Sequence, residues 1–201
     1  MSSGMKLFFS YDGRSIAKRF PGRFVVIAVV VVACLYSNAT TAQDETNPDL
    51  APGLELISDG RYGEAASFFE EEAKGRPDDA DVFNYLGIAR YHMGDYKGAL
   101  DAFLESLDRD PSYVTVYHNI GVTYHALGQY YLAVENFERA LNLVDDDEVL
   151  FFRLALSYIA LQDWRTAREY LERAQTMNPD ESEYRVYLEY VNSKIAAKSP
   201  E

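Results

Sequence analysis

Residue types that build catalytic and metal sites are scarce in this sequence of 201 residues. Its one cysteine, Cys34, cannot form an intramolecular disulfide or a zinc site built on paired cysteines. The sequence also has no glycine-rich phosphate loop and no HExxH motif. Catalysis needs a nucleophile with a base, paired carboxylates in a cleft or a metal cluster. We find none of these patterns and therefore predict no catalytic residue, no metal and no cofactor.

Basic residues are also few. The chain has 19 lysines and arginines against 32 acidic residues, a formal net charge of −13. Residues 43–201 alone hold 14 basic and 31 acidic residues, a net charge of −17. Such a surface repels the phosphates of nucleic acids and anionic lipid headgroups. The charge therefore argues against a nucleic-acid partner and favours a soluble surface or a basic protein partner.

The hydrophobic run near the N-terminus is short. It spans 13 residues, Phe24–Tyr36, and follows the basic stretch AKRFPGR. A transmembrane helix needs about 20 apolar residues, whereas a signal-peptide core has about 7–15. Small residues follow in SNATTAQDE, which suits cleavage after Ala42. We therefore interpret residues 1–42 as a signal peptide or membrane-targeting segment, followed by a polar linker at 43–48.

Two alternatives to this cleavage stay open. Residues 24–36 could remain as an uncleaved membrane anchor. Alternatively, VVAC at Cys34 resembles the lipobox of bacterial lipoproteins, in which the cysteine carries lipid. All three readings predict an exported protein, periplasmic or envelope-associated in a bacterium, and two of them predict a membrane tether.

A turn recurs with a fixed period of 34 residues. It reads Gly60-Arg61-Tyr62, Gly94-Asp95-Tyr96, Gly128-Gln129-Tyr130 and Gln162-Asp163-Trp164. An amphipathic stretch lies on each side of each turn, and glycine just past a helix end adopts a left-handed conformation at little cost. A period in this range is typical of helical repeats, so the unit is predicted to be helix, tight turn, helix.

Small residues recur with the same period, and we expect them where the paired helices cross. A larger side chain there would overpack the pair by roughly 1–3 kcal/mol. Prolines 77, 111 and 179 fall between the units, where proline ends one helix and opens the next. The small residues are Gly87, Gly121 and Ala155 in the first helices and Ala99, Ala133 and Ala167 in the second helices.

These residues resemble the tetratricopeptide repeat, whose signature is W-x2-L-G-x2-Y, then A-x3-F, then P. One unit reads Tyr117, Ile120, Gly121, Tyr124, Ala133 and Phe137. The resemblance implies an all-α, right-handed superhelical solenoid of about four helix-turn-helix units plus a C-terminal capping helix. The predicted array covers 49–180, with a degenerate first repeat at 49–79, repeats at 80–113, 114–147 and 148–181, and a capping helix at 181–198.

Two units depart from the signature. Asp145 replaces the proline before the fourth repeat, and we expect this aspartate to cap the next helix. Pro52 and Gly53 occupy the Leu-Gly positions of the first repeat, so its first helix is expected to be short or irregular.

The resemblance also implies that the first helices line a concave groove for a peptide. The groove would be largely aromatic and aliphatic, which suits an apolar or amphipathic segment. A carboxylate clamp, used by one subclass of the family, finds asparagines and an arginine near its positions but has Ile88 and Val149 where polar or basic residues are needed. The predicted groove residues are Asn84, Ile88, Tyr91, Thr115, His118, Asn119, Val122, His125, Phe152, Arg153 and Leu156.

The sequence thus predicts a non-enzymatic module that binds a protein or peptide partner. Phe152 and Leu156 could instead pack against the terminal helix. A second hypothesis is a structural subunit of an envelope assembly that uses its convex face or ends, with homo-oligomerisation left open. A third, metal binding or catalysis, rests only on His92, His118 and His125.

Overall fold

The computed structural model describes residues 48–198, and all regular secondary structure in that range is helical. The predicted targeting segment 1–42, with Cys34, lies outside the described residues, as do linker residues 43–47. One turn of 3-10 helix, Pro48–Leu50, comes first. The nine α-helices are α1 (Ala51–Ser58), α2 (Tyr62–Gly75), α3 (Ala80–His92), α4 (Tyr96–Arg109), α5 (Val114–Ala126), α6 (Tyr130–Leu141), α7 (Glu148–Ala160), α8 (Trp164–Met177) and α9 (Ser182–Lys198).

Each helix packs against the next one along the chain. Turns of three residues join α1 to α2, α3 to α4, α5 to α6 and α7 to α8, so each of these pairs is a hairpin. Helix α3 also contacts α5, and α5 contacts α7. This arrangement confirms the all-α helical solenoid predicted from the sequence, with four helix pairs followed by the single helix α9.

The turns within the pairs share one backbone conformation. Gly60, Gly94 and Gly128 have φ values of 73°, 81° and 73°. Gln162 occupies the fourth such position with φ 61°. In each turn the amide of the following residue donates to a carbonyl five residues earlier, as Asp95 N does to Arg90 O at 3.0 Å. This bond satisfies a carbonyl at the helix end that would otherwise lack a partner.

Phenylalanine rings and small residues meet where the helices of a pair cross. Gly121 is buried, and a Cβ added to it would lie 2.5 Å from Cε1 of Phe137. In the first pair, a Cβ on Gly53 would lie 2.5 Å from the rings of Phe68 and Phe69. Only glycine lets these rings come so close. The alanines of the predicted crossings, Ala99, Ala133, Ala155 and Ala167, are fully buried.

The join between α6 and α7 has six residues and no proline. Asp147 caps α7, since its carboxylate accepts a hydrogen bond from Leu150 N at 2.8 Å. The expectation that Asp145 would cap this helix was wrong, because the helix begins two residues later than the proline position suggests. The capping chemistry itself is the one expected of aspartate.

The solenoid ends at α9, which has 17 residues and packs on α8. Glu189 stands 34 residues after Ala155, at the position where the preceding first helices carry a small residue. Its side chain is exposed. A second helix cannot approach α9 closely there, because the glutamate occupies the crossing point. Within residues 48–198, none of the helices is both long enough and apolar enough to span a membrane.

Candidate functional site: the groove of the first helices

The first helices form the inner side of the array. Helix α3 contacts α5 and α5 contacts α7, whereas the second helices α4, α6 and α8 approach one another less closely. Neighbouring elements are closest together on the inside of a curved stack. The surface of α3, α5 and α7 is therefore the concave groove.

A chain of polar side chains forms the floor of the groove and joins α3 to α5. Asn119 Nδ2 donates to Asn84 Oδ1 at 2.9 Å, and Asn84 Nδ2 lies 3.5 Å from the hydroxyl of Tyr113. The Tyr113 hydroxyl in turn donates to Asp81 Oδ1 at 2.5 Å. Asn84 is only 2% exposed. Both asparagines therefore satisfy each other within the protein and hold adjacent repeats together.

Two histidines of α5 are held neutral. Burial lowers the pKa of His118 to about 3, and the nearby Arg153 cation lowers it further, against a hydrogen bond with Asn119. Burial, with a smaller effect of Arg153, lowers the pKa of His125 to about 4. Part of each ring remains exposed, but the Nε2 atoms are buried, and neither has a hydrogen-bond partner among the described residues.

Three residues predicted to line the groove are not on its surface. Phe152 is 6% exposed, and its ring lies 4.9 Å from that of Tyr184 and 5.4 Å from that of Tyr187. Leu156 and Arg153 are each 3% exposed. Helix α9 covers this part of α7 in the way that another first helix would. The alternative packing of Phe152 and Leu156 against the terminal helix is therefore the correct one.

The accessible part of the groove comes from α3 and α5. Ile88 and Tyr91 on α3 are partly buried, and Thr115 on α5 is exposed. Val122 is buried, so it contributes only its edge to the surface. The exposed faces of the two histidine rings complete this area, which has no charged side chain among the predicted groove residues apart from the buried Arg153.

The three histidines do not converge. The His92 ring stacks on Tyr62 with centroids 4.5 Å apart, whereas His118 and His125 pack against rings of α6. Within residues 48–198, no group of three histidine, cysteine, aspartate or glutamate side chains is close enough to hold a metal ion. The expectation that His92 could lie near His125 to form a zinc site has no support in this geometry.

Sequence reasoning missed a carboxylate cluster at the joins beside α7 and α9. Burial raises the pKa of Tyr184 to about 12, and Glu148, Glu181, Glu183 and Asp147 raise it further. These side chains come from two separate joins, so only the packing of α9 on the preceding helices brings them together. Their acidic character was visible in the sequence, but their convergence was not.

Comparison with protein families matches the tetratricopeptide repeat model over residues 78–146 and again over 112–180. No curated protein matches the chain. Among solved structures, MamA 41-end from Desulfovibrio magneticus RS-1 is similar, with a TM-score of 0.69 and 22% identity over 78% of this chain and 88% of that chain. The first TPR of Spaghetti (RPAP3), bound to the HSP90 peptide SRMEEVD, has a TM-score of 0.57 and 23% identity over 59% of this chain and 94% of that one. These likenesses concern the fold.

Proposed function

Because this chain belongs to the tetratricopeptide repeat family of protein–protein interaction modules, we propose that the groove of α3 and α5 holds a segment of a protein partner. The observation that carries the proposal is the character of the accessible groove. Ile88 and Tyr91 offer apolar and aromatic surface, while the polar groups of the floor are already paired. Aromatic anchors in such grooves provide much of the affinity for a peptide.

The partner segment is proposed to be apolar or amphipathic. The RPAP3 domain binds the acidic peptide SRMEEVD on the same fold. In the present chain Ile88 and Val149 stand where a carboxylate clamp needs polar or basic groups, and Arg153 is buried. A net charge of −17 over residues 43–201 further opposes an acidic ligand.

We also propose that the protein is exported, with residues 24–36 or lipid on Cys34 as the membrane tether. This part of the proposal is supported by the sequence alone, through the basic stretch, the apolar run and the small residues before Gln43. Mass spectrometry of the protein from its native membrane and soluble fractions would distinguish cleavage after Ala42, lipidation and an uncleaved chain.

A second candidate is assembly through the convex face. Tyr131 on α6 is 78% exposed, and Leu104 on α4 is 53% exposed. Exposed apolar side chains on the second helices would suit a structural subunit or homo-oligomer. This use of the surface does not involve the groove, so matched variants separate the two functions.

The test compares groove and convex variants of the full chain in partner capture. The groove variant is Ile88→Glu with Thr115→Glu, and the matched control is Leu104→Glu with Tyr131→Glu. Phe152→Glu is unsuitable, because it would bury a charge against α9. Circular dichroism first establishes that both variants keep their helix content.

We expect the groove variant to lose a partner that the convex variant retains. If the convex variant alone loses it, the second candidate is correct. If both variants keep the same partners as the parent chain, groove binding is wrong.

A further inference from the structure

Pairs of aromatic rings recur along the edge of the groove where the two helices of each repeat meet. Tyr91 lies 5.4 Å from Tyr96, and His125 lies 5.0 Å from Tyr130 in the next repeat. A third pair, Trp164 and Tyr190, follows with ring centroids 6.0 Å apart. Each pair joins the end of a first helix, or the capping helix, to the start of a second helix. We call these three pairs the aromatic edge.

The aromatic edge is continuous with the proposed groove and is accessible. All six rings are partly buried, so each keeps a face or an edge at the surface. Tyr91 and His125 belong both to the aromatic edge and to the predicted groove. The stacked pair of Tyr62 and His92 extends the row by one repeat toward the N-terminus. A ligand in the groove would therefore run beside aromatic rings over its whole length.

The spacing of the pairs matches one extended conformation. First helices of adjacent repeats are in direct contact, which places their axes about 8–10 Å apart. The aromatic pairs therefore recur about every 8–10 Å. A polyproline II helix has three residues per turn and a rise of 3.1 Å, so its prolines at i and i+3 are about 9 Å apart. An α-helix, at about 5.4 Å per turn, does not match this spacing.

The charge of the chain selects the polar residues of such a ligand. Residues 43–201 carry a net charge of −17. The other edge of the array, formed by the joins between repeats, is acidic, and the cluster of Glu148, Glu181, Glu183 and Asp147 lies there. A cationic segment would be attracted to this surface, and an anionic one would be repelled.

We propose that the aromatic edge binds a cationic, proline-rich segment of a partner protein in the polyproline II conformation. The inference rests on the proposed groove function and specifies its ligand. Prolines would pack on successive aromatic pairs, and the flanking arginines or lysines would lie toward the acidic joins. The ordering cost is small, because proline already restricts the free peptide to this conformation.

The first experiment titrates the full chain against a synthetic peptide of ten prolines flanked by two arginines at each end. Trp164 is the chain's one tryptophan and lies in the aromatic edge, so its fluorescence reports directly on occupancy. Two further peptides are the probes of specificity. One replaces alternate prolines by glycine, and the other replaces the arginines by glutamates.

We expect the arginine-flanked proline peptide to change the Trp164 emission with saturation. The glycine peptide should bind at least about tenfold more weakly, because it loses the preset conformation. The glutamate peptide should bind more weakly still, and the difference should shrink at high salt. Equal binding of the proline and glycine peptides, or of the arginine and glutamate peptides, would overturn the corresponding half of the proposal.

Adjacent tyrosines of α6 supply a matched pair of variants. Tyr130 belongs to the aromatic edge, whereas Tyr131 is 78% exposed and outside it. Tyr130→Ala should raise the dissociation constant of the proline peptide about five- to tenfold, and Tyr131→Ala should leave it within about twofold. Because Tyr130→Ala could loosen the turn, Tyr96→Phe and Tyr96→Ala are compared as well, and only the alanine should weaken binding. Equal effects of Tyr130→Ala and Tyr131→Ala would contradict the assignment.

Failure of this inference is distinct from failure of the groove function. If no proline peptide binds but Ile88→Glu with Thr115→Glu still abolishes capture of a native partner, the groove binds another kind of segment and the inference is wrong. If that groove variant has no effect and no proline peptide binds, both proposals are wrong.

Discussion

Acidification should destabilise this protein through the two histidines of α5. His118 and His125 have folded-state pKa values lowered to about 3 and about 4, against about 6.5 for an unfolded chain. Between these values the unfolded state binds more protons than the folded state, so the free energy of unfolding rises with pH. The contribution is complete above pH 6.5 and is lost as the pH falls toward 4.

The magnitude follows from the shift in each pKa. One pKa unit corresponds to about 1.36 kcal/mol, so lowering the pH from 7.5 to 5 removes up to about 2 kcal/mol per histidine. Arg153 faces both rings and opposes their protonation, whereas Asn119 favours it at His118. Because part of each ring is exposed, solvent screens the effect, and we expect about 2–3 kcal/mol for the pair.

The assay is urea unfolding followed by circular dichroism at pH 7.5, 6 and 5 at constant ionic strength. Acidification also relieves repulsion among the excess carboxylates, which opposes the histidine effect. The double variant His118→Gln, His125→Gln isolates the histidines, because glutamine retains a hydrogen-bonding amide but does not titrate. We expect the stability of the parent relative to the variant to fall by about 2–3 kcal/mol from pH 7.5 to 5. Parallel pH profiles of parent and variant would refute the reasoning.

Three further predictions concern the repeat itself. Gly121→Ala should lower the free energy of unfolding by about 1–3 kcal/mol, because its Cβ would lie 2.5 Å from Phe137 Cε1; Gly63→Ala, which meets open space, should be neutral or stabilising. Thermal unfolding checks this pair, and equal shifts would contradict it. Gln162→Gly should stabilise the protein by about 1 kcal/mol, since Gln162 has φ 61°; a loss of stability in urea would oppose this. Asp147→Ala should cost about 1 kcal/mol through the lost cap of α7, and an unchanged urea midpoint would show that the cap contributes nothing.

The fold could be predicted from the sequence because its information is local and repeated. A period of 34 residues, glycines at the turns and small residues at the crossings each specify one helix pair and its contact with the next. The cap of α7 was assigned to Asp145 rather than Asp147, because helix starts depend on backbone geometry that three successive aspartates leave ambiguous.

The candidate site was less predictable, because accessibility depends on what the last helix covers. Phe152 and Leu156 have the same repeat positions as residues on the open groove, and only the docking of α9 buries them. The aromatic edge was also missed. Tyr96 and Tyr130 were visible at the turns, but their pairing with Tyr91 and His125 depends on side-chain orientation across a hairpin.

A helical array built from one repeating contact has no inherent length, so something must stop its growth. In this chain the stop at the C-terminal end is Glu189, exposed at the place where a neighbouring helix would need to come within about 8–10 Å. A second copy stacked on α9 would have to bury that carboxylate without a partner. Fibres that grow by head-to-tail stacking are therefore blocked at this end, and any assembly of copies must use lateral surfaces or the opposite end.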